Sequence, residues 1–167
     1  MRHLLDADGL IKLHRAGVLH SVLVAFHCAV PSAVYDEVVV KGKVYLHEDA
    51  EEIEQLFLGS VEVVGQTKSE GTAIEINLGA GELAVLALAA QGPEDIVVSD
   101  DRRFLSALAA RDLLYLTPAD LLVVLARRRV LTRAEAMEAL ERLRPAIRTA
   151  AYWEAKEDLE GKVNDEK

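Results

Sequence analysis

The sequence predicts an α/β domain whose central sheet is mostly parallel and covered by helices on both faces. Three observations carry this. The short apolar runs Leu4-Leu5, Ile96-Val97-Val98 and Leu113-Leu114-Tyr115-Leu116 are continuous rather than alternating, as in strands buried on both faces. Longer stretches with helical periodicity separate them, the pattern of a layered α/β chain. Gly, Pro, Ser, Thr and Asp punctuate the junctions. With 167 residues the chain fits one core, and with aromatics at only 5% that core must be built from Leu, Val, Ile and Ala.

Leu4-Leu5 reads as a strand that turns through Asp6-Ala7-Asp8-Gly9 into a helix capped by Asp8 and ended by Gly17. Val18 to Phe26 is a second helix. His27-Cys28-Ala29-Val30 is a strand stopped by Pro31, after which Ser32 caps a helix to about Val40, with Gly42 at its end. His47 to Leu58 is an acidic amphipathic helix with Ile53, Leu56 and Phe57 inward. Val61-Glu62-Val63-Val64 is a strand, and Gln66 to Asn77 is polar loop with some helix. Glu82 to about Ala90 is apolar nearly all round and should be deeply buried.

Ile96-Val97-Val98 is a buried strand, Ser99-Asp100-Asp101 the turn after it, and Arg102 to Arg111 a helix. After the last strand, Thr117 caps a helix with Pro118 in its first position. Thr132 and Glu135 form a capping box for another, which Pro145 bends or ends. Residues 1–148 are expected to form a single domain. Residues 149–167 are expected to be a docked C-terminal helix and a partly disordered acidic tail.

The formal net charge of -9 argues against a surface that wraps nucleic acid by charge alone. The distribution is uneven, however. Arg102, Arg103, Arg111, Arg127, Arg128, Arg129 and Arg133 gather the positive charge, so a local basic surface is compatible with the total. Cys28 is the single cysteine, which leaves no disulfide framework, predicts an inert buried thiol and suits a reducing cytoplasm. Met1 to Asp6 does not read as a signal peptide, and no apolar run approaches the roughly 20 residues of a membrane span.

The chemistry is expected from carboxylates. Asp6 ends one buried strand and Asp100-Asp101 end another, and ligand sites of open parallel sheets lie outside the carboxyl ends of strands. Glu82, beginning a helix after a glycine turn, and Glu37, in the helix after Pro31, can reach the same edge. Carboxylates held close together repel unless a cation neutralises them. Mg²⁺ or Mn²⁺ prefers such oxygen donors and activates water for attack on a phosphodiester.

Four segments, taken in order, resemble the motifs of the PIN-domain family. They are Leu4-Leu5-Asp6-Ala7-Asp8-Gly9-Leu10-Ile11-Lys12-Leu13, Val30-Pro31-Ser32-Ala33-Val34-Tyr35-Asp36-Glu37-Val38, Leu78-Gly79-Ala80-Gly81-Glu82-Leu83-Ala84 and Val97-Val98-Ser99-Asp100-Asp101-Arg102-Arg103-Phe104. The resemblance covers roughly residues 3 to 120 and implies a three-layer α/β/α sandwich. It also implies a Mg²⁺- or Mn²⁺-dependent ribonuclease, often the toxin of a toxin–antitoxin pair of the VapC type. Asp6, Glu37, Glu82, Asp100 and Asp101 would then be catalytic, with Asp6, Glu82, Asp100 and Asp101 on metal. Ser99, Arg102 and Arg103 would meet substrate. RNA, a basic antitoxin and a second copy of the chain are the implied partners. The chain departs from the family in two ways: Asp8 stands where Ser, Thr or Asn is usual, and residues after about Leu131 exceed a minimal toxin. The choice between Asp100 and Asp101 stays open, although alignment on Ser99 favours Asp101.

Other readings compete. Asp6-Ala7-Asp8-Gly9 also resembles the opening of haloacid-dehalogenase phosphatases, with Asp6 as nucleophile and Asp8 as general acid. Against it, the usual Thr is missing after Gly9, and Glu37 and Glu82 would have no role. A PIN fold can also serve as a non-catalytic binding module. Asp8 alone reads first as a helix cap, and Ser99 either caps the next helix or orients a water. Glu82 alone could be only an acid favoured by the helix dipole, and Arg127-Arg128-Arg129 only a solvated helix end. The five histidines show no zinc-site spacing and read as structural or surface residues.

Overall fold

A computed structural model describes residues 1–65 and 77–161. The expected loop is thereby described only at Asn77, and the expected disordered tail after Gly161 lies outside the described residues. The chain runs β1 (His3–Leu5), α1 (Ala7–Arg15), α2 (Leu19–Ala25), β2 (Cys28–Pro31) and α3 (Ser32–Tyr35). A π-helical segment (Asp36–Lys41) and a short turn, α4 (Gly42–Val44), continue it, followed by α5 (Asp49–Phe57) and β3 (Val61–Val64). Then come α6 (Ala80–Gln91), β4 (Ile96–Val98), α7 (Arg102–Ala109), β5 (Leu114–Leu116) and α8 (Pro118–Arg127). α9 (Arg133–Leu143), a 3₁₀ turn at Arg144–Ala146 and α10 (Thr149–Glu160) complete the described chain.

The five strands form one sheet in the order β3-β2-β1-β4-β5, and each neighbouring pair is parallel. Helices flank it in a three-layer α/β/α sandwich, as expected. Leu4, Leu5, Ala29, Val30, Val97 and Val98 of the three central strands are fully buried. This is why those strands are unbroken apolar runs. α6 is buried from Val85 through Ala89, as its all-round apolar surface requires. The Leu-rich faces of α8 and α9 pack together, and α10 lies against both. Arg142 of α9 donates to the carbonyl of Ala16 at 3.1 Å, closing the end of α1. Cys28 is fully buried, and burial pushes its thiol up to about 12, so it is an inert core side chain. No helix among the described residues is long and apolar enough to cross a membrane.

Several junctions differ from expectation. Asp6, not Asp8, caps α1: its carboxylate accepts from the Gly9 N–H at 2.6 Å, so the helix starts two residues earlier. Pro31 holds the capping position before α3, because its φ of -60° and ψ of 146° already set the entry angle. Gly42 does not end the helical stretch; its φ is -54°, and the chain leaves helical geometry at Tyr45, followed by Leu46 with φ 58°. Leu114 and Tyr115 are exposed on opposite faces of β5, which lies at the edge of the sheet.

Gly9 sets the closest approach between layers. A Cβ there would lie 2.5 Å from the Val98 carbonyl oxygen and 3.0 Å from Asp6 Oδ1. The first turn of α1 thus sits directly on the end of β4. Gly9→Ala must push these two backbones apart, at a cost of about 1–3 kcal/mol. Thermal unfolding followed by circular dichroism should show a lowered Tm; an unchanged Tm would mean that the strand end yields freely.

Candidate active site

The strand order reverses direction between β1 and β4: β2 and β3 lie to one side, β5 to the other. A crevice at the carboxyl ends of such strands is where parallel sheets bind ligands. Asp6 follows β1 and Ser99-Asp100 follow β4, so the two acidic turns flank this reversal. Backbone links hold them together, with the Asp6 N–H donating to the Val98 carbonyl at 3.4 Å.

Asp6 is 2% exposed. Burial pushes its carboxyl up to about 7, against the hydrogen bonds from Ser99 and the Gly9 N–H, and the nearby carboxylates of Asp8 and Glu82 add to the rise. Ser99 is itself fully buried, and its Oγ also accepts from the Asp101 N–H at 3.2 Å. It therefore joins the turn after β4 to the acid after β1, which is more than a cap for α7.

The two acids of the fourth motif divide. Asp100 turns inward, with its side chain 3% exposed and its Oδ2 2.9 Å from Lys12 Nζ. Lys12 also holds Asp8 Oδ2 at 2.8 Å. Asp100 Oδ1 is buried and accepts no hydrogen bond; Arg148 Nε lies 3.9 Å from it. Asp101 does a different job. It caps α7, accepting from the N–H groups of Arg103 and Phe104 at 2.9 and 3.0 Å. Arg102 and Arg103 are exposed on the first turn of α7, with Arg103 Nε 3.8 Å from Asp101.

Glu82 occupies the first turn of α6, where its Oε2 accepts from the Gly79 N–H at 2.7 Å. Its field is felt at Asp6, so the start of α6 reaches the same crevice. Glu37 lies in the π-helical segment and is exposed. Its Oε2 lies 2.9 Å from where a Cβ on Gly81 would stand, and Val34 Cγ2 lies 3.2 Å from that point. Only the absence of a side chain at 81 lets Glu37 settle against the start of α6. Asp36 is exposed, as expected.

Among the described residues, no group of three or more His, Cys, Asp and Glu side chains is gathered closely enough to hold an ion outright. The donors nevertheless suit a hard divalent cation. Asp100 offers a buried, unpartnered oxygen, and Asp6 is a buried carboxylate with acidic neighbours. Lys12 and Arg148 were not expected at the site. Lys12 leaves a faint signal, a charge at i+4 from Asp8 within Leu10-Ile11-Lys12-Leu13. Arg148 leaves none, since its contact with Asp100 exists only once α10 is docked.

Asp6 also gives the metal-free chain a pH dependence. Folded, its carboxyl titrates near 7; its ordinary value is 3.8. Between these values the folded chain holds a proton that the unfolded chain has released, so stability falls as pH rises from about 4 to about 7. Asp6→Asn keeps a capping side chain and removes this slope. In EDTA, the drop in Tm from pH 5 to pH 8 should be smaller for Asp6→Asn than for the parent. Equal drops would rule out Asp6 as its source.

The comparisons with known proteins agree with this architecture. A family model described as a PIN domain matches residues 3–156, which takes in every strand and reaches into α10. No curated protein and no solved structure matches the chain. The match spans nearly the whole sequence, and the chain belongs to the PIN-domain family.

Proposed function

We propose that the chain is a Mg²⁺- or Mn²⁺-dependent endoribonuclease whose centre is Asp6, Glu82 and Asp100, with Glu37 at its border. The observation that carries this reading is the buried Oδ1 of Asp100, which accepts no hydrogen bond, in the turn after β4 at the reversal of strand order. An unsatisfied buried carboxylate oxygen is costly unless something positive completes it. Asp6, Asp100 and Glu82 would hold the ion. We assign the metal-facing role to Asp100 rather than Asp101, because the Asp101 carboxylate is engaged in capping α7.

When bound, the ion supplies an activated water and neutralises charge on a phosphodiester in an in-line displacement. The chain's own groups do the rest. Ser99 fixes the orientation of Asp6. Arg102 and Arg103 on α7, with Arg148 at the start of α10, provide positive charge where phosphate would arrive. The amino end of α7 favours an anion in the same place. Local charge of this kind outweighs the total of -9 at the point of contact.

The toxin role, a basic antitoxin and a homodimer belong to the same proposal, as does action in the cytoplasm. Val40, Val44, Tyr45 and Leu46 are exposed close to Glu37, and a run of exposed apolar side chains suits a surface shared by two copies. Light scattering should show a dimer that Tyr45→Glu dissociates; a monomer at all concentrations would remove it from the reading.

The reaction is tested on single-stranded RNA with Mg²⁺ or Mn²⁺. Cleavage should cease in EDTA and fall by about 10²-fold or more in Asp6→Asn, Glu82→Gln and Asp100→Asn. Gly81→Ala should leave the fold intact, since the first atom it meets is the mobile end of Glu37. It should still lower cleavage about tenfold or more by displacing that carboxylate. Cleavage that survives EDTA or the Asp100→Asn change would overturn the proposal.

A further inference from the structure

Lys12 sits inside the acid cluster rather than at its rim. Its side chain is 15% exposed, and its ammonium bridges Asp8 Oδ2 at 2.8 Å and Asp100 Oδ2 at 2.9 Å. A surface lysine pairs loosely and exchanges partners with water. This one is held by two acids, one of them almost fully buried.

Asp100 divides its oxygens accordingly: Oδ2 faces Lys12, while Oδ1 is buried and accepts no hydrogen bond. Arg148 Nε, at 3.9 Å, stands too far away to donate to it. Two cation positions can therefore be drawn in the cluster. One lies between Asp8 and Asp100 Oδ2 and is filled by Lys12. The other lies at Asp100 Oδ1, which no donor fills.

We propose that Lys12 is a built-in counter-cation occupying one of the two positions, so that the chain takes a single divalent ion, at Asp6 and Asp100 Oδ1. This rests on the reading of the cluster as a metal site. Two-metal sites place their ions about 3.5–4 Å apart and need carboxylates shared between them. Here the shared oxygen is already taken by an ammonium. A second ion would have to eject Lys12 from a half-buried pocket and leave that charge without its partners, which is strongly unfavourable. Lys12 in turn lowers the negative charge that the remaining position offers, which weakens its hold on the one ion.

The test is a calorimetric titration of the full, metal-free chain with MnCl₂, with free Mn²⁺ counted in parallel by electron paramagnetic resonance. The parent should bind one ion per chain. Lys12→Met should bind a second ion, or the first about tenfold more tightly, and Mn²⁺ should raise its Tm by more than it raises the parent's. Lys12→Arg should bind one ion, as the parent does. Lys12→Gln, which keeps a donor for Asp100, is measured beside Lys12→Met in case the latter fails to fold, with the same gain in binding expected. Two ions on the parent, or unchanged or weaker binding in both neutral variants, would overturn the role of Lys12. The count on the parent decides the matter even if neither neutral variant folds. No Mn²⁺ bound to the parent at millimolar concentration would instead remove the metal reading itself, and the inference with it.

Discussion

Mutual repulsion among carboxylates is the constraint around which this molecule is arranged. Lys12 bridges Asp8 and Asp100, and the charges of Asp8 and Glu82 bear on buried Asp6, so these acids in partly dry surroundings must be neutralised, protonated or hydrogen-bonded. The chain uses all three. Lys12 holds two of the acids, the Asp6 carboxyl is pushed toward its protonated form, and backbone N–H groups at helix starts serve Asp6, Glu82 and Asp101. What remains without a hydrogen bond is one oxygen of Asp100.

The sheet makes the gathering unavoidable. Because β1 and β4 are parallel neighbours and the chain leaves both at the same end, any residue just past either strand arrives at the same crevice. Two glycines make the approach close enough to matter. Gly9 lets α1 rest on the end of β4, and Gly81 lets the Glu37 carboxylate settle against the start of α6. The buried strands and the buried apolar stretch of α6 from Val85 to Ala89 provide a rigid platform. The polar groups at its edge can therefore be unfavourably crowded without the fold relaxing around them.

Most elements were legible because their signals are local. The capping boxes at Thr117 and Thr132, Pro118 in its first helical position, and the continuous runs of β1 and β4 depend on a few adjacent residues. Errors arose where two local signals competed. Asp6 and Asp8 are both good caps, and the earlier one prevailed because its backbone is extended and its carboxylate reaches the Gly9 N–H. Gly42 looked like a helix end but continues the helix, since Ala50 packs against it and leaves no room for a side chain there. The apolar run of β5 signalled burial on both faces, yet at the edge of the sheet Leu114 and Tyr115 are exposed on opposite faces.

By itself, the sequence determined the α/β class, the order of the elements and which acids follow the strands and begin the helices. These follow from periodicity, caps and the short reach between a strand and the helix after it. Only the tertiary structure decided how the acids divide the work. Asp100 and Asp101 are adjacent and chemically alike, and what separates them is that one carboxylate faces Lys12 while the other faces the N–H groups of α7. Lys12 and Arg148 entered the site for the same kind of reason. A charge becomes a partner through distance and burial, and these exist only after helices far apart in the chain have packed.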